Sequence, residues 1–297
     1  MSSETDPLKI FFYTLFALTA FASNSIFCRL ALSEGSIDAA SFTAIRLISG
    51  AAALVMISYL SRKKISAPSR KWRSAAMLFF YAAAFSFAYT RLTAGTGALI
   101  LFGAVQATML IFALYSGEKP RAGEWVGLLL ALSGLVYLAS PGLSAPSPIG
   151  FVLMMIAGVS WGVYSLIGRR SSDPLADTTG NFLFSAPFAL LVALFFIGKS
   201  DLSAKGVLLA ASSGALASGL GYVAWYAALR GLASTRAAAV QLTVPVLTGI
   251  AGVVLLSEHI SIRLLFSSVM ILGGVGLAVH GGLRQRTDDR GRMTDDR

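Results

Sequence analysis

Trp161 and Trp225 are large aromatic side chains in the middle of long apolar runs, each with polar or aromatic company on one helical face. Tyr164, Ser165 and Gly168 accompany Trp161, and Ser218, Gly221 and Tyr222 accompany Trp225 at helical spacing. Phe21, Asn24, Ser25 and Cys28 repeat that spacing near the N-terminus, while Gln106, four residues after Phe102, and Gln241 add amides to two further apolar runs. An indole N–H or a phenol in hydrocarbon needs a partner or water, so these faces are expected to look inward. Together they describe an uncharged cavity lined by aromatics and amides, suited to a substrate with an apolar or aromatic body. A packed core cemented by polar contacts is the competing reading.

Arg46 is the most deeply placed charge, about eight residues into its apolar run and hence roughly 12 Å along a helix rising 1.5 Å per residue. An arginine there must face a partner or a wet cavity. Two readings stay open: an electropositive group near an outer vestibule that meets a substrate carboxylate, or a structural arginine bonded to carbonyls of neighbouring helices. Arg29, Arg91 and Arg230 fall at the ends of apolar runs, from which they can snorkel to the interface.

Other chemistry is thinly supplied. All fourteen Asp and Glu lie in loops, tails or at helix ends. Asp38 and Asp177 read as N-terminal caps, and Glu118 and Glu258 as structural groups at helix ends. With no acid at membrane depth to carry a proton, uncoupled or weakly coupled movement down a gradient is expected. His259 and His280 sit at span ends, and there is no metal-ligand spacing, no Ser-His-Asp set at membrane depth and no phosphate loop. No catalysis, cofactor or metal is therefore expected, and a membrane enzyme or a receptor is the alternative of a different class. A single cysteine, Cys28, excludes an internal disulfide and reads as a small apolar filler.

The elements that position these residues are membrane spans. Of 297 residues, 56% are hydrophobic and 13% charged, with a mean hydropathy of +0.73; a soluble domain carries about twice that charge. Apolar runs broken by Gly, Pro, Ser and charge clusters give ten helices, at 8–32, 38–61, 72–91, 94–115, 123–140, 149–169, 177–197, 204–229, 234–256 and 262–280. The first is too long for the apolar region of a signal peptide and follows Glu4 and Asp6, so it reads as a retained helix. The net charge of +10 implies no nucleic-acid partner. With both termini cytoplasmic, 18 of the 24 Lys and Arg fall on the cytoplasmic side, as basic loops do; Arg29, Arg91, Lys199, Lys205 and Arg263 fall opposite, and Lys199 and Lys205 make the loop after the seventh span an exception.

The chain also repeats. Arg91-Leu-Thr-Ala94-Gly-Thr96-Gly-Ala98 matches Arg230-Gly-Leu-Ala233-Ser-Thr235-Arg-Ala237 at four of eight positions. Phe21, Ser25 and Arg29 fall on Trp161, Ser165 and Arg169, and Glu118 falls on Glu258, at a nearly identical offset. This divides the chain into a short N-terminus (1–7), a first five-helix unit (8–140), a joining loop (141–148), a second five-helix unit (149–280) and a charged, disordered cytoplasmic tail (281–297). Five is odd, so the two units enter the membrane from opposite sides, an inverted repeat that provides a physical basis for alternating access. Gly219 and Gly221, near Gly214 and Ser218, and Pro245 in the ninth span mark places where helices can bend. The fifth and tenth spans, glycine-bearing and almost without polar side chains, read as scaffold.

The paired Arg-x-x-Ala-x-Thr-x-Ala segments, with Glu118 and Glu258 closing the spans they open, resemble the drug/metabolite transporter superfamily over residues 8–280. Within it the chain is similar to EamA-type exporters, and more narrowly to bacterial aromatic amino acid exporters. One departure is Pro245, whose repeat-equivalent is Gln106, so the halves do not bend identically. The resemblance implies an all-α inner-membrane carrier of ten transmembrane helices in two inverted repeats. It implies export of amino acids, aromatic ones included, or similar small metabolites, with the bilayer and the substrate as partners; it leaves the oligomeric state open, a monomer included. A broader metabolite or drug efflux carrier with proton coupling is the alternative.

Overall fold

The computed structural model describes residues 7–61, 72–115, 122–140, 145–169, 171–196, 202–232, 237 and 240–277. Regular structure among them is entirely helical. The helices are α1 (Pro7–Ser33), α2 (Ala39–Leu60), α3 (Trp72–Tyr89), α4 (Ala94–Tyr115), α5 (Ala122–Ala139), α6 (Pro148–Gly168), α7 (Pro174–Leu194), α8 (Ala204–Leu229), α9 (Thr243–Leu256) and α10 (Ile262–Leu277). Five of these, α1, α2, α6, α7 and α8, are each long and apolar enough to cross a membrane; the apolar stretches of α4, α5, α9 and α10 are shorter. Glu118, Thr235, the N-terminal hexapeptide, the first half of the joining loop and the tail beyond 277 lie outside the described residues.

Local signals set the helix starts. Asp38 accepts from the backbone N–H groups of Ala40 and Ser41 at 2.9 and 3.0 Å, the cap its sequence position predicts. In α7 the cap is Asp173 rather than Asp177: Asp173 accepts from Ala176 N at 3.3 Å, and Pro174 occupies the first helical position that proline favours. Asp177, one turn in, instead accepts from Ser171 Oγ at 2.6 Å.

Two helices depart from the runs the sequence predicts. α8 is interrupted by a π-helical stretch, Ser213–Leu220, between two α-helical pieces. The α9 assignment begins only at Thr243, after a turn at Leu242, so Pro245 stands in its first turn rather than mid-helix. Lacking an N–H, Pro245 cannot bond the carbonyl of Gln241 four residues earlier, and the helix breaks there.

The packing is reciprocal. α1 lies on α8 and α9, as α6 lies on α3 and α4; α2 packs on α7 and α8, as α7 packs on α2 and α3. In the centre, Gly214 lies against the backbone carbonyl of Arg46 and Ser49 Oγ, where a Cβ has no room. At the periphery, Gly274 of α10 would place a Cβ 2.5 Å from the Gly127 carbonyl of α5, so these helices meet backbone to backbone. Large apolar side chains on the outer faces stay exposed, among them Leu129, Val136, Leu191, Val254 and Val269, as a surface facing lipid requires.

Candidate functional site

The reciprocal packing brings α1, α3, α6, α7 and α8 around a closed aromatic centre. Trp161 of α6 is its hub: its ring lies 4.6 Å from Tyr222 of α8, 5.0 Å from Tyr81 of α3, 5.3 Å from Phe21 of α1 and 5.5 Å from Tyr164, on which it stacks. Phe21 also contacts Trp225 at 5.7 Å, so both tryptophans meet one phenylalanine. Phe182 of α7 closes on Tyr222 at 5.8 Å, and Tyr226 on Tyr164 at 5.4 Å. Trp161 donates to Gln241 Oε1 at 3.4 Å, and Asn181 donates to the Tyr164 hydroxyl at 3.3 Å.

Arg46 sits at this centre and not in a vestibule. It is 0% exposed. Its Nε donates to Ser218 Oγ at 2.9 Å, and its Nη2 to the hydroxyls of Tyr222 at 2.7 Å and Tyr81 at 3.2 Å. The guanidinium also lies 5.1 and 5.0 Å from the ring centres of Tyr81 and Phe85, within cation–π range. Asn24 ties the group together, donating to the Tyr81 hydroxyl at 3.2 Å and accepting from Ser213 Oγ at 2.6 Å. Both serines, Ser213 and Ser218, belong to the π-helical stretch of α8, and π segments often mark functional positions because they re-aim side chains. The centre that the sequence predicts as an uncharged cavity instead contains a cation, because α2 packs against α8 at Gly214 and delivers Arg46 into the aromatic set.

The other expected site residues are placed as follows. Ser165 is buried next to Tyr164, and Ser25 lies on α1 against the Tyr89 hydroxyl. Phe102 and Gln106 are buried on α4, which packs on α6, outside the ring contacts described above. Gly219 and Gly221 lie at the end of the π stretch and the start of the α-helical piece after it. Sequence reasoning missed Tyr81, Phe85, Asn181 and Phe182; the stripe Tyr81, Phe85, Tyr89 at four-residue spacing was the available signal.

A second polar contact closes one end of the bundle. Arg29 of α1 pairs with Glu258 at 3.0 Å and donates to the Tyr89 carbonyl at 3.1 Å, so it does not simply snorkel. The same carboxylate accepts from Ala94 N, the first residue of α4, at 2.8 and 3.1 Å, where a helix N-terminus favours an anion. Beside it, Lys205 pairs with Glu34 at 2.6 Å.

The sequence, compared with known proteins, matches the model of the EamA-like transporter family twice, over residues 8–140 and 148–279. The chain belongs to the EamA-like transporter family. It is a membrane transporter, built from two copies of the family's repeat. An uncharacterized protein of Pseudomonas aeruginosa is 50% identical over 89% of this chain and 92% of its own length. The uncharacterized inner membrane transporter YedA of Escherichia coli is 30% identical over 44% of this chain and 41% of its own. The uncharacterized transporter YoaV of Bacillus subtilis is 21% identical over 79% and 85%. A crystal structure 23% identical in sequence superposes with a TM-score of 0.64 over 90% of this chain and 95% of that one, and shares its fold.

Proposed function

We propose that this EamA-like transporter exports amino acids, aromatic ones included, or similar small metabolites across the inner membrane by alternating access, and that the aromatic centre is its substrate site. The observation that carries the reading is Trp161, a buried indole whose ring partners come from α1, α3 and α8, hence from both family repeats. A site at the junction of two repeats is where carriers of this architecture expose substrate to each side in turn. The reciprocal packing of α1 and α6 on the third and fourth helices of the opposite repeat supports ten spans arranged as an inverted repeat. Inner-membrane residence is supported by the inner-membrane transporter YedA among the relatives, and the cytoplasmic placement of both termini by the distribution of Lys and Arg.

Flux is uncoupled in this reading, because no described acid reaches the centre. Glu34 and Glu258 are held in ion pairs at one end of the bundle, and Asp38, Asp173 and Asp177 lie at helix starts. Counterflow of labelled phenylalanine in proteoliposomes, with and without an imposed pH gradient, tests both points. Counterflow independent of the gradient is expected. Accumulation that collapses when the gradient is dissipated would favour a proton-coupled efflux carrier. Orientation is checked with introduced cysteines: one at Ser147 should react with an impermeant thiol reagent in intact cells, and one at Lys64 should not.

A further inference from the structure

Arg46 is a buried cation without an anion. Among the described residues it makes no ion pair, its three hydrogen bonds go to neutral hydroxyls, and its Nη1 has no partner at all. A desolvated guanidinium in such surroundings is costly unless a negative charge completes it. Its neighbours are also arranged as donors. Tyr222 accepts from Arg46, and Tyr81 accepts from both Arg46 and Asn24, so the hydroxyl pair keeps at least one O–H proton to give elsewhere. Trp225 Nε1, buried in the same cluster, likewise has no acceptor among the described residues. The unpartnered acceptors on the α6 and α7 side, Ser165 Oγ, Thr178 Oγ1 and Asn181 Oδ1, are all neutral. The centre thus offers one fixed positive charge, spare donors and aromatic walls, with no negative side chain bonded to Arg46; Asp177 acts on Tyr226, behind Tyr164.

We infer that the centre recognises an aromatic monocarboxylate, with Arg46 Nη1 binding the carboxylate and the rings of Phe21, Trp161 and Tyr222, which touch one another in this structure, parting to receive the aryl group, and that it does not require an α-ammonium. The inference rests on the aromatic centre being the substrate site and narrows what that site accepts. One free guanidinium nitrogen suits a single negative charge. A zwitterion binds through the same carboxylate, but its ammonium finds only neutral oxygens, which compensate a desolvated charge poorly. A charge-assisted hydrogen bond of about 1.5–3 kcal/mol corresponds to roughly ten- to hundredfold in affinity.

The test is equilibrium binding to the purified full chain in lipid nanodiscs, with 3-phenylpropionate, phenylalanine, phenethylamine and 2-phenylethanol as probes. 3-Phenylpropionate should bind at least as tightly as phenylalanine, and the amine and the alcohol at least tenfold more weakly than 3-phenylpropionate. Arg46→Gln should erase the preference for the acids while leaving 2-phenylethanol unchanged, and Arg46→Lys should restore part of it. Phenylalanine binding more than tenfold tighter than 3-phenylpropionate would overturn the inference alone, leaving an amino acid site intact. Arg46→Gln binding the acids like the wild type, with a lower melting temperature, would overturn it by making Arg46 structural. If Trp161→Ala leaves every affinity unchanged, the aromatic centre is not the site and the underlying reading falls with it.

Discussion

Arg29 and Arg46 lie on consecutive helices and are treated by the fold in opposite ways. Arg29 is part-exposed, is paired with Glu258 at 3.0 Å, and shares that carboxylate with the N-terminus of α4. Arg46 is fully buried, is surrounded by rings and hydroxyls, and leaves one nitrogen unbonded among the described residues. Arg29 shows what this chain does with an arginine whose task is to fasten helices: it supplies a carboxylate. At Arg46, where burial makes the need for an anion far greater, no described side chain supplies one. The difference separates a latch from a receptor.

The comparison can be broken or sharpened by substitutions near each arginine. The largest effect is expected from Gly214→Ala, which drives a Cβ into the Arg46 carbonyl and Ser49. Overpacking of this kind costs about 1–3 kcal/mol, and because it pushes α8 off α2 it should reduce substrate binding as well as the melting temperature. Glu258→Ala should then cost about 1–3 kcal/mol by leaving Arg29 and the Ala94 N–H without their acceptor. Its signature is a lower melting temperature, restored only in part by a second change, Arg29→Gln, because the Ala94 N–H still lacks its acceptor, with the affinity for substrate largely kept. Trp161→Ala should weaken phenylalanine binding roughly three- to tenfold, from an aromatic pair worth about 0.5–1.5 kcal/mol beyond its area, and a small aliphatic amino acid less. The smallest effect belongs to Lys205→Ala. The Lys205–Glu34 pair is exposed, 55% and 42% for the two side chains, and its loss should change stability by less than about 0.5 kcal/mol, vanishing at high salt.

Much of the centre was legible from helical spacing. Phe21, Asn24, Trp161, Tyr164, Tyr222 and Trp225 each share a face with other polar or aromatic residues in an otherwise aliphatic run, and that contrast is what periodicity detects. Tyr81 and Phe85 escaped because the neighbouring Phe79 and Phe80 blur the four-residue stripe Tyr81, Phe85, Tyr89. The depth of Arg46 could be counted along the chain, but its company could not. That company depends on the glycine contact between α2 and α8 and on a π stretch that turns Ser213 and Ser218 inward, both tertiary facts. The repeat gave no help with it either: at the offsets of the other matches, 139 and 140, the equivalents of Arg46 are Ser185 and Ala186. Asp177 was misassigned as a cap because Asp173-Pro174 offers a stronger helix start four residues earlier.

The central claim is that Arg46 is retained for a ligand and not for the fold. It is tested most directly by measuring, on one preparation of Arg46→Gln, both the melting temperature and the initial rate of phenylalanine counterflow in proteoliposomes. A residue kept for its ligand should leave the melting temperature equal or higher, since a desolvated charge has been removed, while counterflow falls at least tenfold. A melting temperature several degrees lower with counterflow preserved per folded molecule would make Arg46 a second structural latch and contradict the account.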